Sequence, residues 1–368
     1  MKNLYDPISL GGISTQNRII RSATFEFSHH AKGDYNPEYA RIYEALAKGG
    51  VGVIITGMVA VDANSPINTH MIRAYDDQFV PGLRQIVRQV HANKSRLVVQ
   101  ISHCGVHAGH IESGGPRLGA SAMQTASGAT VQAMTPEDIA DVAAHFADTA
   151  ARCKEAGADG VQLHAAHGYL LSQFLSPYYN RRDDGYGGDI AKRSRIVMEV
   201  YDAVRERVGP DYPVWIKINN SDRTTPGLTQ EECLWVCQAL EKRGIHAIEI
   251  SGGLSATPKS SAVPMIKTPE EETPYASAAL SIAEKLSVPV ISVCGYRTPE
   301  SIHEWLNRGK LEAIALSRPL IVEPDLPNRW KSGDTRRAIC ISCNQCFRPK
   351  ESFGCQNPAF AGRTKNRR

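Results

Sequence analysis

The sequence predicts an α/β fold in which eight parallel strands close into a (β/α)8 TIM barrel, followed by a short Cys-containing C-terminal extension. Three observations predict it. A charged amphipathic stretch that ends at Gly and runs into a β-branched segment recurs at 47–56, 154–164, 241–251 and 307–317. Gly suits the left-handed residue that closes a helix, and a continuous Val/Ile/Leu run suits a strand buried on both faces of a parallel sheet. Eight such runs occur, and the stretches between them carry apolar residues at helical spacing. Strict alternation repeated eight times favours a closed barrel, with an open doubly wound sheet as the alternative.

Taken in order, the strands are expected at 18–24, 51–57, 96–102, 160–165, 214–219, 247–253, 289–295 and 313–318. Helix starts are marked by Thr135 before Pro136, Glu137 and Asp138, by Thr229 with Glu232, and by Thr298 before Pro299 and Glu300. The longest connections, 103–135, 168–189 and 253–274, follow strands three, four and six. A barrel builds its site from the loops at the carboxyl ends of its strands, so function is expected there. Residues 1–335 form the expected barrel, and 336–368 a Cys-rich segment with a basic tail at Arg363 to Arg368.

Composition narrows the class. With 368 residues, 42% hydrophobic, 22% charged and a net charge of +4, the chain has neither the signature of disorder nor a nucleic-acid patch. No apolar run reaches membrane-spanning length and the N-terminus lacks a signal-peptide core, so a cytoplasmic protein is expected. Five of the nine cysteines (Cys104, Cys153, Cys233, Cys237, Cys294) are scattered, which argues against a disulfide scaffold. The other four, Cys340, Cys343, Cys346 and Cys355, fall within sixteen residues and form a candidate tetrahedral metal or cluster site.

At the end of strand four, His164, His167 and Tyr169 stand within six residues. Two neutral imidazoles can donate to one carbonyl or anionic oxygen, and a phenol can give a proton. A metal-dependent hydrolase or lyase, with His164, His167 and Asp184 as ligands, is the reading from a different class.

The stretch HAAHGYLLSQFLSPYYNRRDDGYGG at 164–188, with Asn180, Arg182, Asp184, Tyr186, Gly187 and Gly188, resembles the signature of the Old Yellow Enzyme family of NAD(P)H:flavin oxidoreductases. LYDPISLGGISTQNRIIRSAT at 4–24, Val99 to His103, and SRPLIVEPDLP at 317–327 extend the resemblance over most of 4–325. It implies FMN as cofactor, NAD(P)H as reductant and a small activated substrate. By this resemblance His164 and His167 would bind the oxygen of an α,β-unsaturated carbonyl compound, and Tyr169 would be the general acid. Gln100 would meet the pyrimidine edge of the flavin, and Lys217, where the family often has Arg, would be a fixed cation that raises the potential of the ring. Ser22, Ala23, Thr24 and Gly57 would approach the ring through backbone groups, and Gly295, Ser317 and Arg318 would hold the phosphate. Taken alone, Gly295 could equally serve a turn, and Arg318 could pair with Glu323.

The cysteine segment resembles, without matching, the iron–sulfur segment of the branch related to 2,4-dienoyl-CoA reductase and trimethylamine dehydrogenase. A [4Fe-4S] cluster, zinc and free thiols all stay open. Larger members of that branch append nucleotide-binding domains after the cluster, whereas this chain ends 13 residues beyond Cys355, with no dinucleotide-binding fingerprint behind a strand. NAD(P)H stacking in the substrate site and a separate electron-transfer partner remain alternatives, and a homo-oligomer stays open.

Overall fold

The computed structural model describes residues 1–26, 37–111, 114–257, 261–347 and 353–360. The expected basic tail at Arg363 to Arg368 lies outside them. The chain opens with an antiparallel hairpin, β1 (Ile8–Leu10) and β2 (Ile13–Thr15), then β3 (Ile19–Arg21), α1 (Pro37–Lys48), β4 (Val53–Ile55), β5 (Val59–Ala60), β6 (Ile72–Arg73), α2 (Val80–His91) and β7 (Arg96–Ser102). The connection after β7 folds into a small sheet of β8 (Arg117–Gly119), β9 (Met123–Gln124) and β10 (Thr130–Ala133). There follow α3 (Pro136–Glu155), β11 (Gly160–Ala165), α4 (Leu170–Leu175), α5 (Ile190–Arg193), α6 (Arg195–Val208), β12 (Val214–Asn219), α7 (Gln230–Glu241) and β13 (Ala247–Ser251). The chain closes with α8 (Ala276–Ala283), β14 (Val290–Val293), α9 (Pro299–Asn307), β15 (Leu311–Leu316), α10 (Arg318–Val322) and α11 (Leu326–Lys331).

The main sheet runs β11-β12-β13-β14-β15-β3-β4-β7 and closes on itself where β7 pairs with β11. All eight pairings are parallel, so the expected barrel is the one observed. Several strands are shorter than expected. Residues 22–24, 294–295 and 317–318 lie beyond the assigned strands at the mouth, with the Ser22 N–H still donating to Leu316 O at 2.8 Å and Arg318 opening α10. The predicted caps form: Thr135 with Asp138 and Thr229 with Glu232 make reciprocal capping boxes, and the Thr298 hydroxyl accepts from the Ser301 N–H.

Two apolar layers fix the barrel. Outward-facing strand residues such as Val99, Leu163 and Ile216 pack against the helices, while Val53, Val98, Trp215, Ala247 and Ala313 fill the interior. The hairpin plugs the amino-terminal end: Leu10 and Ile13 join the interior cluster, and the Trp215 indole donates to the Gly11 carbonyl at 3.0 Å. Above this plug the inward side chains of β7, β11, β12 and β13 turn polar, at Gln100, Gln162, Lys217 and Glu249, while Ile55, Val293 and Ala315 of β4, β14 and β15 stay apolar. The apolar floor therefore ends in a polar layer one step below the mouth.

Candidate active site

A cavity of about 300 Å³ opens above that layer at the carboxyl ends of the strands. Gln100, His164 and Lys217 line it from β7, β11 and β12, and His167 from just beyond β11. Ser22, Ala23 and Thr24 border it beyond β3, Tyr169 beyond β11, and Ser317 and Arg318 beyond β15. Sequence reasoning had placed all ten of these at one mouth. Gly57 and Gly295 stand outside the lining. Gly57 donates its N–H to the Tyr43 hydroxyl at 3.2 Å, and a Cβ there would meet the buried Glu26 carboxylate at 2.0 Å. Gly295 has φ +87°, where a Cβ would meet the Thr273 nitrogen at 2.7 Å, and it lines a second, small cavity together with Ser317 and Arg318.

Both imidazoles are held neutral. Burial, and then the positive charge of Lys217, push His164 and His167 well below the ordinary imidazole value. The rings meet edge to face at 5.3 Å, and His167 Nε2 lies 2.8 Å from the Ser251 hydroxyl. His164 Nδ1 is buried and has no hydrogen-bond partner, an arrangement that costs free energy unless a ligand supplies the partner. The Tyr169 ring lies 4.8 Å from that of His164, and burial pushes its phenol up, so it stays protonated.

The floor is one hydrogen-bonded chain. Lys217 Nζ lies 3.0 Å from Glu249 Oε1 and donates to the Ser22 hydroxyl at 2.7 Å; that hydroxyl in turn donates to Glu249 Oε1 at 2.6 Å. Gln162 donates to Glu249 Oε2 at 2.8 Å and accepts from Gln100 at 2.8 Å. Lys217, expected as a fixed cation, is thus ion-paired with Glu249. Glu249 and Gln162 were missed, since a charged residue among isoleucines in AIEIS reads as ordinary alternation. Phe25, Met58 and Ile67, also unforeseen, supply an apolar wall.

Arg318 does not pair with Glu323, which takes Arg329 at 3.1 Å; instead its guanidinium donates to Val263 O and Asn344 Oδ1. Asp184 pairs with Arg182 at 2.5 Å, and no group of three metal-ligating side chains is placed to hold an ion among the described residues. The ligand set of His164, His167 and Asp184 is thereby overturned. Cys104 is buried, and its thiol is pushed up by burial, which makes it a packing residue.

Cys340, Cys343, Cys346 and Cys355 all line one small cavity against α10, with the Asn357 amide 3.7 Å from Cys343 Sγ. Arg318 lines this cavity and the larger one, and Phe347, next to Cys346, reaches the larger.

The family described as NADH:flavin oxidoreductase / NADH oxidase matches residues 3–336. A metal reductase of Desulforamulus reducens is 36% identical over 371 residues, which cover 99% of this chain and 54% of that protein. A 2-naphthoyl-CoA reductase structure superposes with a TM-score of 0.89 at 24% identity, covering 98% of this chain and 58% of the other. Old Yellow Enzyme from Pichia sp. AKU4542 superposes at 0.75 with 25% identity, over 91% of this chain and 88% of the other. The chain thus spans about half the length of the metal reductase it resembles. No described helix is long and apolar enough to cross a membrane.

Proposed function

Since the chain belongs to the NADH:flavin oxidoreductase / NADH oxidase family, we propose that the mouth cavity holds FMN over Gln100 and Lys217 and that the enzyme reduces an α,β-unsaturated carbonyl compound or a similarly activated small molecule. The unpartnered Nδ1 of buried His164, beside His167 and Tyr169, carries this reading. The donor set fits the cofactor: a side-chain amide and an ammonium below the mouth, and Ser317 with Arg318 at its edge for a phosphate. Bound FMN would supply hydride chemistry with NAD(P)H as the source of reducing equivalents.

The protein's part is to orient and to move one proton. His164 and His167, uncharged, offer N–H groups to the substrate oxygen and stabilise the negative charge that grows there. Tyr169, held protonated by burial beside His164, delivers its proton to the neighbouring carbon. Phe25, Met58 and Ile67 present an apolar wall that favours a compact, apolar acceptor. Tyr169→Phe is expected to slow enone turnover by about 10²–10⁴-fold, with flavin reduction by NAD(P)H retained. Stopped-flow absorbance separates the two half-reactions. Unchanged turnover in both Tyr169→Phe and His164→Ala would remove these roles.

The same reading extends to Cys340, Cys343, Cys346 and Cys355 as ligands of an iron–sulfur cluster, although as they stand they, like the other described side chains, form no ready-made group for a metal ion. Their shared cavity and the contact of Arg318 and Phe347 with the cofactor cavity support an electron route to a partner protein, with dehydrogenation as the second direction of use.

A further inference from the structure

We propose that Glu249 is a positioning residue that cancels the charge of Lys217 and sets the hydrogen-bond polarity of Gln100, so that the floor of the site is electrostatically balanced toward the cofactor. The inference rests on the reading that FMN lies over Gln100 and Lys217.

Strand register makes the arrangement obligatory. Lys217 pairs laterally with Glu249 between β12 and β13, and Gln100 with Gln162 between β7 and β11, so all four point into one layer. Glu249 is fully buried and receives three donors: Lys217 Nζ at 3.0 Å, the Ser22 hydroxyl at 2.6 Å and the Gln162 amide at 2.8 Å. A carboxylate only accepts. Gln162 must therefore turn its NH₂ toward Glu249 and its carbonyl toward Gln100, whose NH₂ donates back at 2.8 Å. Gln100 is left with its carbonyl oxygen and one N–H, an acceptor and a donor side by side. Lys217 spends one proton on Glu249 and one on Ser22 and keeps a third for the cavity.

The electrostatic consequence opposes that of a lone cation. Two-electron reduction leaves FMN with a negative charge, which an uncompensated ammonium below it would stabilise. A carboxylate 3.0 Å from that ammonium removes most of this field. Lys217 then supplies a directed donor without a large rise in potential.

The test is the two-electron midpoint potential of FMN in the holoenzyme, measured for the native protein, Glu249→Gln, Lys217→Gln and the double variant. Glu249→Gln should favour reduced FMN by at least tenfold, about 30 mV for a two-electron couple. Lys217→Gln should shift the equilibrium the other way, and the double variant should return to within about a factor of three of the native value. Should Glu249→Gln fail to fold around an unpaired buried ammonium, the double variant, which leaves no lone charge, decides. A double variant as displaced as Lys217→Gln alone, or a native potential in Glu249→Gln, overturns the proposal. If Lys217→Gln keeps its flavin at the native potential, the placement of FMN over Lys217 is what fails.

Discussion

At the scale of single residues, the pH response follows from the two buried imidazoles. His164 and His167 are depressed well below the usual value, burial being the larger cause and Lys217 the smaller. Unfolded imidazoles take up protons near pH 6.5 and the folded ones do not, so below about 6.5 the unfolded state binds more protons. Stability is then fully present above that pH and declines as pH falls toward the depressed folded values, by at most about 1.4 kcal/mol per pH unit for each ring. His103 and His107, also depressed by burial, act in the same sense, while His145, raised by its hydrogen bond to Asp62, acts against it. Denaturant unfolding at pH 5.5, 6.5 and 7.5 should show this slope, and it should be shallower in His164→Asn/His167→Asn. An equal slope in that variant would mean the rings ionise freely in the folded protein. Substrate affinity should stay level through pH 6.5, because no imidazolium forms in the site.

At the scale of elements, the most specific stretch of the signature turns out to be scaffolding. Asn180 donates to the carbonyls of Phe174 at 2.8 Å and Tyr186 at 2.7 Å, and Arg182 donates to those of Ala120 at 3.0 Å and Met134 at 2.7 Å. These bonds tie the connection after β11 to the small sheet after β7 and so fix Tyr169 and α4 from behind. Gly187 is part of the same joint, since a Cβ would stand 2.0 Å from the Arg182 carbonyl oxygen. Gly187→Ala should cost about 1–3 kcal/mol through overpacking, lower the melting temperature by a few degrees and leave flavin binding nearly intact. A native melting temperature for this variant would show that the joint relaxes freely. The eight barrel strands were legible because each is a largely apolar run, four of them announced by a helix-ending Gly. The hairpin β1–β2 and the sheet β8–β10–β9 were not, because strands of two to four residues give periodicity too little length to register. Gln100, Lys217, His164 and Tyr169 could be placed through the motif they belong to. The partners of Lys217 could not, because Ser22 and Glu249 lie 195 and 32 residues away and meet it only when the barrel closes.

At the scale of the whole molecule, the C-terminal segment is built onto the mouth end of the barrel. The Ala338 N–H donates to Arg297 O at 2.8 Å, Met265 donates to Ser342 O at 2.9 Å, and the Asn344 amide reaches Ala262 O at 2.8 Å. These contacts engage the connections after β13 and β14, the same ones whose Ser261, Ala262 and Cys294 line the mouth cavity. Loss of the segment would therefore disturb flavin binding as well as anything the cysteines hold, and a truncation cannot separate the two. A point substitution can. Cys346 lines the thiol cavity while Phe347, its neighbour, lines the mouth cavity, so Cys346→Ala removes one proposed ligand and leaves the wall of the mouth cavity in place. Protein purified without oxygen is expected to carry iron and acid-labile sulfide, and Cys346→Ala to lose both while keeping its FMN. Transfer to one-electron acceptors should then collapse, with reduction of the flavin by NAD(P)H unchanged. Zinc in place of iron would make the segment a strut with no electron route, and native protein with neither metal would reduce the four cysteines to free thiols in a packed turn.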